Sequence, residues 1–270
     1  MSGHLADGRP KTFVFDLDGV VYVDHMGVPG AGETLAYLER SGHQVLFATN
    51  NSSRDVASVI ENIENRTGFE ARPEAVITSG LAAADLLRND GETCLVLGSD
   101  GLERTLEAAG IAVTSDHAAA TTLVVGLDRG LSYDRLAGAV LAVRRGARFV
   151  ATNDDATYPM PDGQYPGCGA LVAAVERATG VTPTVCGKPN APMRNLIERK
   201  IVNPDVWMVG DRPGTDLALA ARAGWGKILV LTGVTAVEDD LAPELRPDHT
   251  LGSMAELQSL VSTENSRSGG

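Results

Sequence analysis

TFVFDLDG at residues 12–19 and VWMVGDRPGTD at residues 206–216 carry the reading of this chain. Both open on an unbroken apolar run and close on carboxylates beside a glycine. A strand exposed on one face alternates apolar and polar residues, whereas a strand buried on both faces does not. TFVF and VWMV therefore read as strands covered on both sides, as in a parallel sheet. The pattern recurs in QVLFA (44–48), EAVI (74–77), CLVL (94–97), TLVVGL (122–127), RFVA (148–151), TVC (184–186) and KILVL (227–231). Helical spacing fills the gaps. Val56, Val59, Ile60 and Ile63 follow Ser53, an expected N-cap. Ser99, Ser132 and Thr215 are expected caps of further helices, with Gly110, Gly146 and Gly224 as their stops. Strand–helix alternation of this kind specifies the α/β class with a parallel sheet.

The bulk composition narrows the function classes. A length of 270 residues suits one large domain or two modest ones. Aromatics are only 4%, so the core must rest on Val, Leu, Ile and Ala. A net charge of −12 argues against broad nucleic-acid binding, which needs a positive surface, and against a membrane partner. It is compatible with a phosphorylated small substrate, because a metal and a few cations reverse the local field. Cys94, Cys168 and Cys186 show no CxxC spacing and the histidines do not cluster, which disfavours zinc. The odd cysteine count offers no disulfide framework and fits a reducing cytoplasm. No segment reads as a membrane span or a secretory leader. MSGHLADGRP and STENSRSGG read as loose ends. The histidines, scattered in loops or at element ends, read as surface residues, and Cys168 as packing.

In an open parallel sheet, ligands bind beyond the carboxyl ends of the strands. The first strand ends in Asp16-Leu17-Asp18-Gly19, and QVLFA ends in Thr49-Asn50-Asn51-Ser52. TVC leads to Lys188, and VWMV leads to Asp211 and Asp216. Taken singly, each piece has a plainer role: a surface turn, a strand-end hydroxyl, a solvated lysine, a helix cap. Their order, each directly after an apolar run, points to a phosphoryl-transfer site. Carboxylates without His or Cys select a hard cation, Mg²⁺ being the usual one. One carboxylate can attack phosphorus, and a second can protonate the leaving oxygen. Lysine and hydroxyl groups can hold the equatorial oxygens.

FVFDLDGVVY, FATNNS, GKP and MVGDRPGTD together resemble the four motifs of the haloacid dehalogenase superfamily of phosphatases, over residues 12 to 255 or so. The resemblance implies a Rossmann-like core, residues 1–78 and 186–270, with an inserted α/β cap of class IIA at 79–185. VGLDRGLSYDRL, ATNDDATYP and PGCGALVAAVERATG are similar to that cap's usual text, and NagD-like and 4-nitrophenyl phosphate phosphatases share it. It also implies roles. Asp16 becomes the nucleophile and a metal ligand, and Asp18 the general acid/base with its carbonyl on the metal. Thr49 holds the phosphoryl group with help from Asn50, while Asn51 and Ser52 face substrate or metal waters. Lys188 neutralises Asp16 and a phosphate oxygen. Asp211 binds Mg²⁺, and Asp216 orients Lys188 or a metal-bound water. Relatives often carry a bulky and an acidic residue where this chain has Pro213-Gly214.

The implied partner is a small phosphorylated metabolite, with a homodimer through the cap as a further expectation. Asn153, Asp155, Thr157 and Tyr158 are candidates for leaving-group contacts, the alternative for Asp154 and Asp155 being turns and caps. Scarce cap aromatics place polyol and glycolate phosphates ahead of sugar phosphates, nucleotides and pyridoxal phosphate. Two other readings stay open: a phosphotransferase of the same superfamily, and a non-catalytic phosphometabolite-binding protein.

Overall fold

The computed structural model describes residues 5–160, 162–233 and 241–262. The early strands are β1 Thr12–Phe15, β2 Tyr22–Val23, β3 Met26–Gly27, β4 Gln44–Thr49 and β5 Val76–Thr78. Next come β6 Thr93–Leu97, β7 Ala112–Thr114, β8 Thr122–Val125, β9 Arg148–Ala151, β10 Thr157–Met160 and β11 Gly163–Pro166. The last are β12 Thr184–Val185, β13 Val206–Gly210, β14 Gly226–Val230 and β15 His249–Leu251. The helices are α1 Ala31–Arg40, α2 Val56–Thr67, α3 Ser79–Leu87, α4 Asp100–Ala108 and α5 Tyr133–Arg144. They continue with α6 Cys168–Thr179, α7 Ala191–Glu198, α8 Ala218–Ala223 and α9 Met254–Ser262.

Two compact units divide the chain. The first takes in the described residues of Met1–Ala48, Val59–Val76 and Ile197–Gly270. Its six-stranded sheet has the order β15-β14-β13-β1-β4-β5. Strand β1 pairs in parallel with both β13 and β4, in register Phe15↔Val209 and Phe15↔Phe47. All four β1 residues are buried, as the unbroken apolar run requires. Phe13, Phe15, Phe47 and Trp207 fill the space where aromatics are scarce. The second unit takes in Thr49–Ser58 and Ile77–Leu196, so it includes 49–58 and 186–196 as well as the 79–185 stretch. Its five-stranded sheet, β12-β9-β8-β6-β7, is again paired in parallel. Leu123, Val125, Phe149, Leu171 and Val175 belong to its buried core. The fold is α/β with parallel sheets, and every apolar run named from the sequence contributes to a strand, although Glu74 and Ala75 of EAVI lie in a 3-10 turn just before β5. Among the described residues no helix is long and apolar enough to cross a membrane.

Some local expectations need correction. Ser53 does not cap α2; Asp55, adjacent to its first turn, accepts from the Ser58 N–H at 2.9 Å, while Ser53 bonds Asn51. Ser99 stands at the N-cap of α4, yet its hydroxyl donates to the Ser53 carbonyl. Ser132 does cap α5, through the Arg135 N–H. Thr215 sits inside a π-helical turn, Pro213–Leu217, that leads into α8. Proline presets φ at the start of that turn, and a wider first turn takes the place of a capped one. The leading segment is tied down from Leu5, which is buried, and Asp7 bonds Lys11. Residues 1–4 and 263–270, the remainder of the expected loose ends, lie outside the described residues. His43 is half-buried against Phe13 and accepts from the Lys11 N–H, and His249 packs on Trp207, so neither is a plain surface residue. His4 lies outside the described residues.

Candidate active site

In the first unit, the carboxyl ends of β1 and β13 bring acids together. The Asp16 N–H donates to the Val209 carbonyl at 2.9 Å, which extends the β1–β13 ladder by one step. Register then sets Asp16 beside the end of β13, where Asp211 follows Gly210. The Asp216 N–H donates to the Arg212 carbonyl at 2.9 Å and its Oδ2 accepts from the Arg212 N–H at 3.1 Å, so the π-helical turn folds Asp216 back toward the strand end. Asp16, Asp211 and Asp216 each offer a carboxylate oxygen, all within 4.8 Å of one another. Asp16 is 7% exposed and the other two are fully buried.

Two glycines make room for this convergence. A Cβ on Gly210 would overlap the Asp216 side chain, and one on Gly19 would strike Asp211. Gly19 also has φ +90°, a conformation that other residues adopt only under strain. The Gly19 carbonyl accepts from Thr232 Oγ1 at 2.6 Å, which ties the turn after β1 to the end of β14. Three buried carboxylates at this spacing repel unless a proton or cation stands among them. An all-oxygen donor set, with no nitrogen or sulfur, matches a hard divalent cation. Asp18 is exposed, and its carboxylate is not among the three.

In the second unit, Thr49, Asn50, Ser52 and Lys188 are all buried. Thr49 Oγ1 accepts from the Asn51 N–H at 3.0 Å. Asn51 Oδ1 accepts from the Ser53 N–H at 2.9 Å and from its hydroxyl at 2.6 Å. The Ser52 and Thr152 hydroxyls lie 2.9 Å apart. Asn50 Oδ1 accepts from the Lys188 N–H at 2.7 Å. Of the residues proposed from the 79–185 stretch, Asn153 is buried and donates to the Asn50 carbonyl at 2.7 Å, and Asp155 accepts from Asn50 Nδ2 at 3.3 Å. Thr157 and Tyr158 stand on the β10–β11 hairpin, where Tyr158 meets Tyr165 edge-on. Burial pushes the Cys168 thiol up to about 11, and it donates to the Val125 carbonyl at 3.6 Å, in keeping with packing. Cys94 and Cys186 are buried, and burial raises them to about 11 and about 12.

Sequence reading missed Gly210, Gly233 and Thr232 as site builders. A Cβ on Gly233 would overlap Asp211. Glycine in a strand or loop marks a close approach, yet only the fold names the neighbour that approaches.

Comparison with known proteins yields a consistent set. Residues 13–112 match the family model described as Haloacid dehalogenase-like hydrolase, and residues 185–257 one described as HAD-hydrolase-like. An acid sugar phosphatase of Staphylococcus aureus is 35% identical over 251 residues, covering 91% of this chain and 96% of that protein. The crystal structure of a 4-nitrophenylphosphatase from Thermotoga maritima superposes with a TM-score of 0.87 at 34% identity, covering 96% of this chain and all of that one. A glycerol phosphate phosphatase from Mycobacterium tuberculosis, solved in complex with calcium, gives a TM-score of 0.82 at 33% identity, covering 91% of this chain and 74% of that one.

Proposed function

This chain belongs to the haloacid dehalogenase-like hydrolases, and from that premise we propose that it is a Mg²⁺-dependent phosphatase of small phosphate monoesters. The observation that carries the reading is the buried triad Asp16, Asp211 and Asp216 at the ends of two neighbouring parallel strands. A set of hard oxygen donors suits Mg²⁺. When bound there, the ion supplies positive charge against which a carboxylate and a phosphate dianion can approach. The calcium complex of the mycobacterial relative supports a divalent cation.

The chemistry assigned to the side chains is double displacement. An Asp16 oxygen attacks phosphorus, the bond from phosphorus to the ester oxygen breaks, and Asp18 donates its proton to that oxygen as the alcohol leaves. The phosphoryl group is then held on Asp16. Asp18, now a carboxylate, takes a proton from water, whose oxygen attacks phosphorus and frees Asp16 and inorganic phosphate. The exposure of Asp18 supports this part, since an acid/base must reach both leaving group and water. Thr49 and Lys188 take the motif's roles on the phosphoryl oxygens, with Asn51 and Ser52 toward substrate; these roles rest on the motifs. Residues 79–185 are assigned as the substrate-selecting cap and as the surface of a homodimer. Glycerol- and sugar-phosphate-like esters lead the substrate list, on the names of the relatives. Three free buried thiols support action in the cytoplasm.

The test is phosphate release from a panel of phosphomonoesters, for wild type and Asp16→Asn, with Mg²⁺ and with chelator. Turnover that chelator and Asp16→Asn both abolish is the expected result. Release of phosphate by Asp16→Asn at the wild-type rate would end the covalent mechanism, and binding without turnover by wild type would favour a phosphometabolite sensor.

A further inference from the structure

Asn50 is wired differently from its neighbours in the second unit. Its carboxamide pairs with both main-chain groups of one residue: Oδ1 accepts from the Lys188 N–H at 2.7 Å, and Nδ2 donates to the Lys188 carbonyl at 3.2 Å. An N–H can only donate, so this pairing fixes which end of the amide is oxygen. The second Nδ2 hydrogen goes to the Asp155 carboxylate, whose two oxygens both lie at 3.3 Å. The Asn50 carbonyl accepts from Ser79 Oγ at 2.6 Å and from Asn153 Nδ2 at 2.7 Å. Both Nδ2 hydrogens and the main-chain carbonyl are thus committed within the protein, and Asn50 is 8% exposed.

The sheet explains why these segments meet. Strand β12 lies beside β9, and the Cys186 N–H continues their ladder onto the Ala151 carbonyl at 2.8 Å. The turn after β9, Thr152 to Asp155, therefore runs alongside Gly187 and Lys188. A Cβ on Gly187 would sit 2.6 Å from Asn50 Oδ1 and 2.8 Å from the Thr152 carbonyl, so glycine is what admits the approach. Asn153 Oδ1 accepts from the Asp155 N–H at 3.2 Å and closes the turn on itself.

We propose that Asn50 is a positioning residue for Lys188 rather than a substrate contact, and that Asn153 and Asp155 hold Asn50 in place. The inference rests on the reading of Lys188 as the cation that serves the phosphoryl group. Its consequence is that a turn in the substrate-selecting segment sets the geometry of the catalytic lysine. A residue whose main-chain N–H and C=O are both held by one side chain has little freedom about its Cα, and a misplacement of about 1 Å at a reacting group can cost on the order of 100-fold in rate.

A double-mutant cycle with 4-nitrophenyl phosphate as probe tests this. Asn50→Ala is expected to lower kcat roughly 10- to 100-fold with little change in KM, and to add almost nothing once Lys188→Ala is present. Equal losses from Asn50→Ala in both backgrounds, or a loss confined to KM, would overturn the proposal in favour of substrate contact. Asn50→Asp guards against a folding artefact. Its carboxyl can mimic the carboxamide only when protonated, so its kcat relative to wild type should recover as pH falls, whereas that of Asn50→Ala stays flat. A flat ratio for Asn50→Asp would count against the tie. Amide hydrogen exchange at Lys188 reads the same tie without turnover, and unchanged protection in Asn50→Ala would refute it even if the phosphatase reading failed. Inactive wild type with lost protection in Asn50→Ala would instead refute the phosphatase reading and keep the tie.

Discussion

Strands β1 and β13 end in opposite electrostatic solutions. At their amino ends, Lys11 is fully buried with its ammonium 2.6 Å from Asp7 and 2.7 Å from Asp205. Asp205 also accepts from Trp207 Nε1 at 2.9 Å, and its carbonyl from the Thr12 N–H at 2.9 Å. Each charge there meets its opposite within the protein. At the carboxyl ends of the same strands, Asp16, Asp211 and Asp216 bring three carboxyl groups into one buried place. One end pairs charges of opposite sign, and the other gathers groups of a single kind.

The largest test of this contrast is at the acidic end. Asn in place of Asp16 is expected to cut kcat by at least about 10³-fold, or roughly 4 kcal/mol of barrier, while thermal unfolding in chelator shows equal or greater stability. A Tm well below wild type in chelator would mean that the triad stabilises the apo-protein, contrary to the like-charge argument. The next effect is the ion's own. Mg²⁺ at a hundred times its Kd should stabilise the wild type by about 2.7 kcal/mol, and Asp211→Asn should lose most of that gain. Calorimetry with and without Mg²⁺ measures both, and an undiminished gain in Asp211→Asn would remove this aspartate from the ion site.

At the amino end the signs reverse. Lys11→Met should cost about 2 kcal/mol, a Tm drop of roughly 4–8 °C, with kcat unchanged, because both aspartates lose their partner far from the chemistry. A kcat change without a Tm change would break the contrast. The smallest effect is its pH dependence. The hydrogen bond from Lys11 holds Asp7 below its ordinary 3.8, so this contribution is present above that value and is lost as pH falls through the lower folded value. Burial pulls Lys11 down, yet Asp205 and Asp7 outweigh it and raise it above 10.5. Its contribution is complete below 10.5 and is lost as pH rises through the higher folded value. The stability gap between wild type and Lys11→Met should therefore form a plateau that narrows below pH 3.8 and above pH 10.5. A gap that stayed constant into acid would show that Asp7 takes no part.

Much of this was legible in the chain itself. TFVF, VWMV and TLVV read as buried strands because they are short, unbroken β-branched and apolar runs closed by a glycine or a carboxylate. Asp16, Lys188 and Asp211 could be singled out because each follows such a run. The β2–β3 and β10–β11 hairpins and the three-residue β15 were not legible: they are short or largely exposed and show no apolar period. Ser53 was misread as a cap because Asp55, two residues on, competes for the same helix end and wins with a charged acceptor. Thr215 was misread because a capping residue and a residue within a π-helical turn look alike in one dimension.

The sequence by itself determined the α/β class, the order of the apolar strands along the chain and which of their ends carry acids, since these follow from local composition and period. Only the tertiary structure decided that Asp216 folds back beside Asp16 and Asp211, that Gly210 and Gly19 clear the space for it, and that Asn50 grips the main chain of Lys188 from 138 residues away. Those facts depend on which strands become neighbours, and long-range pairing is set by the packing of whole sheets rather than by any local stretch of chain.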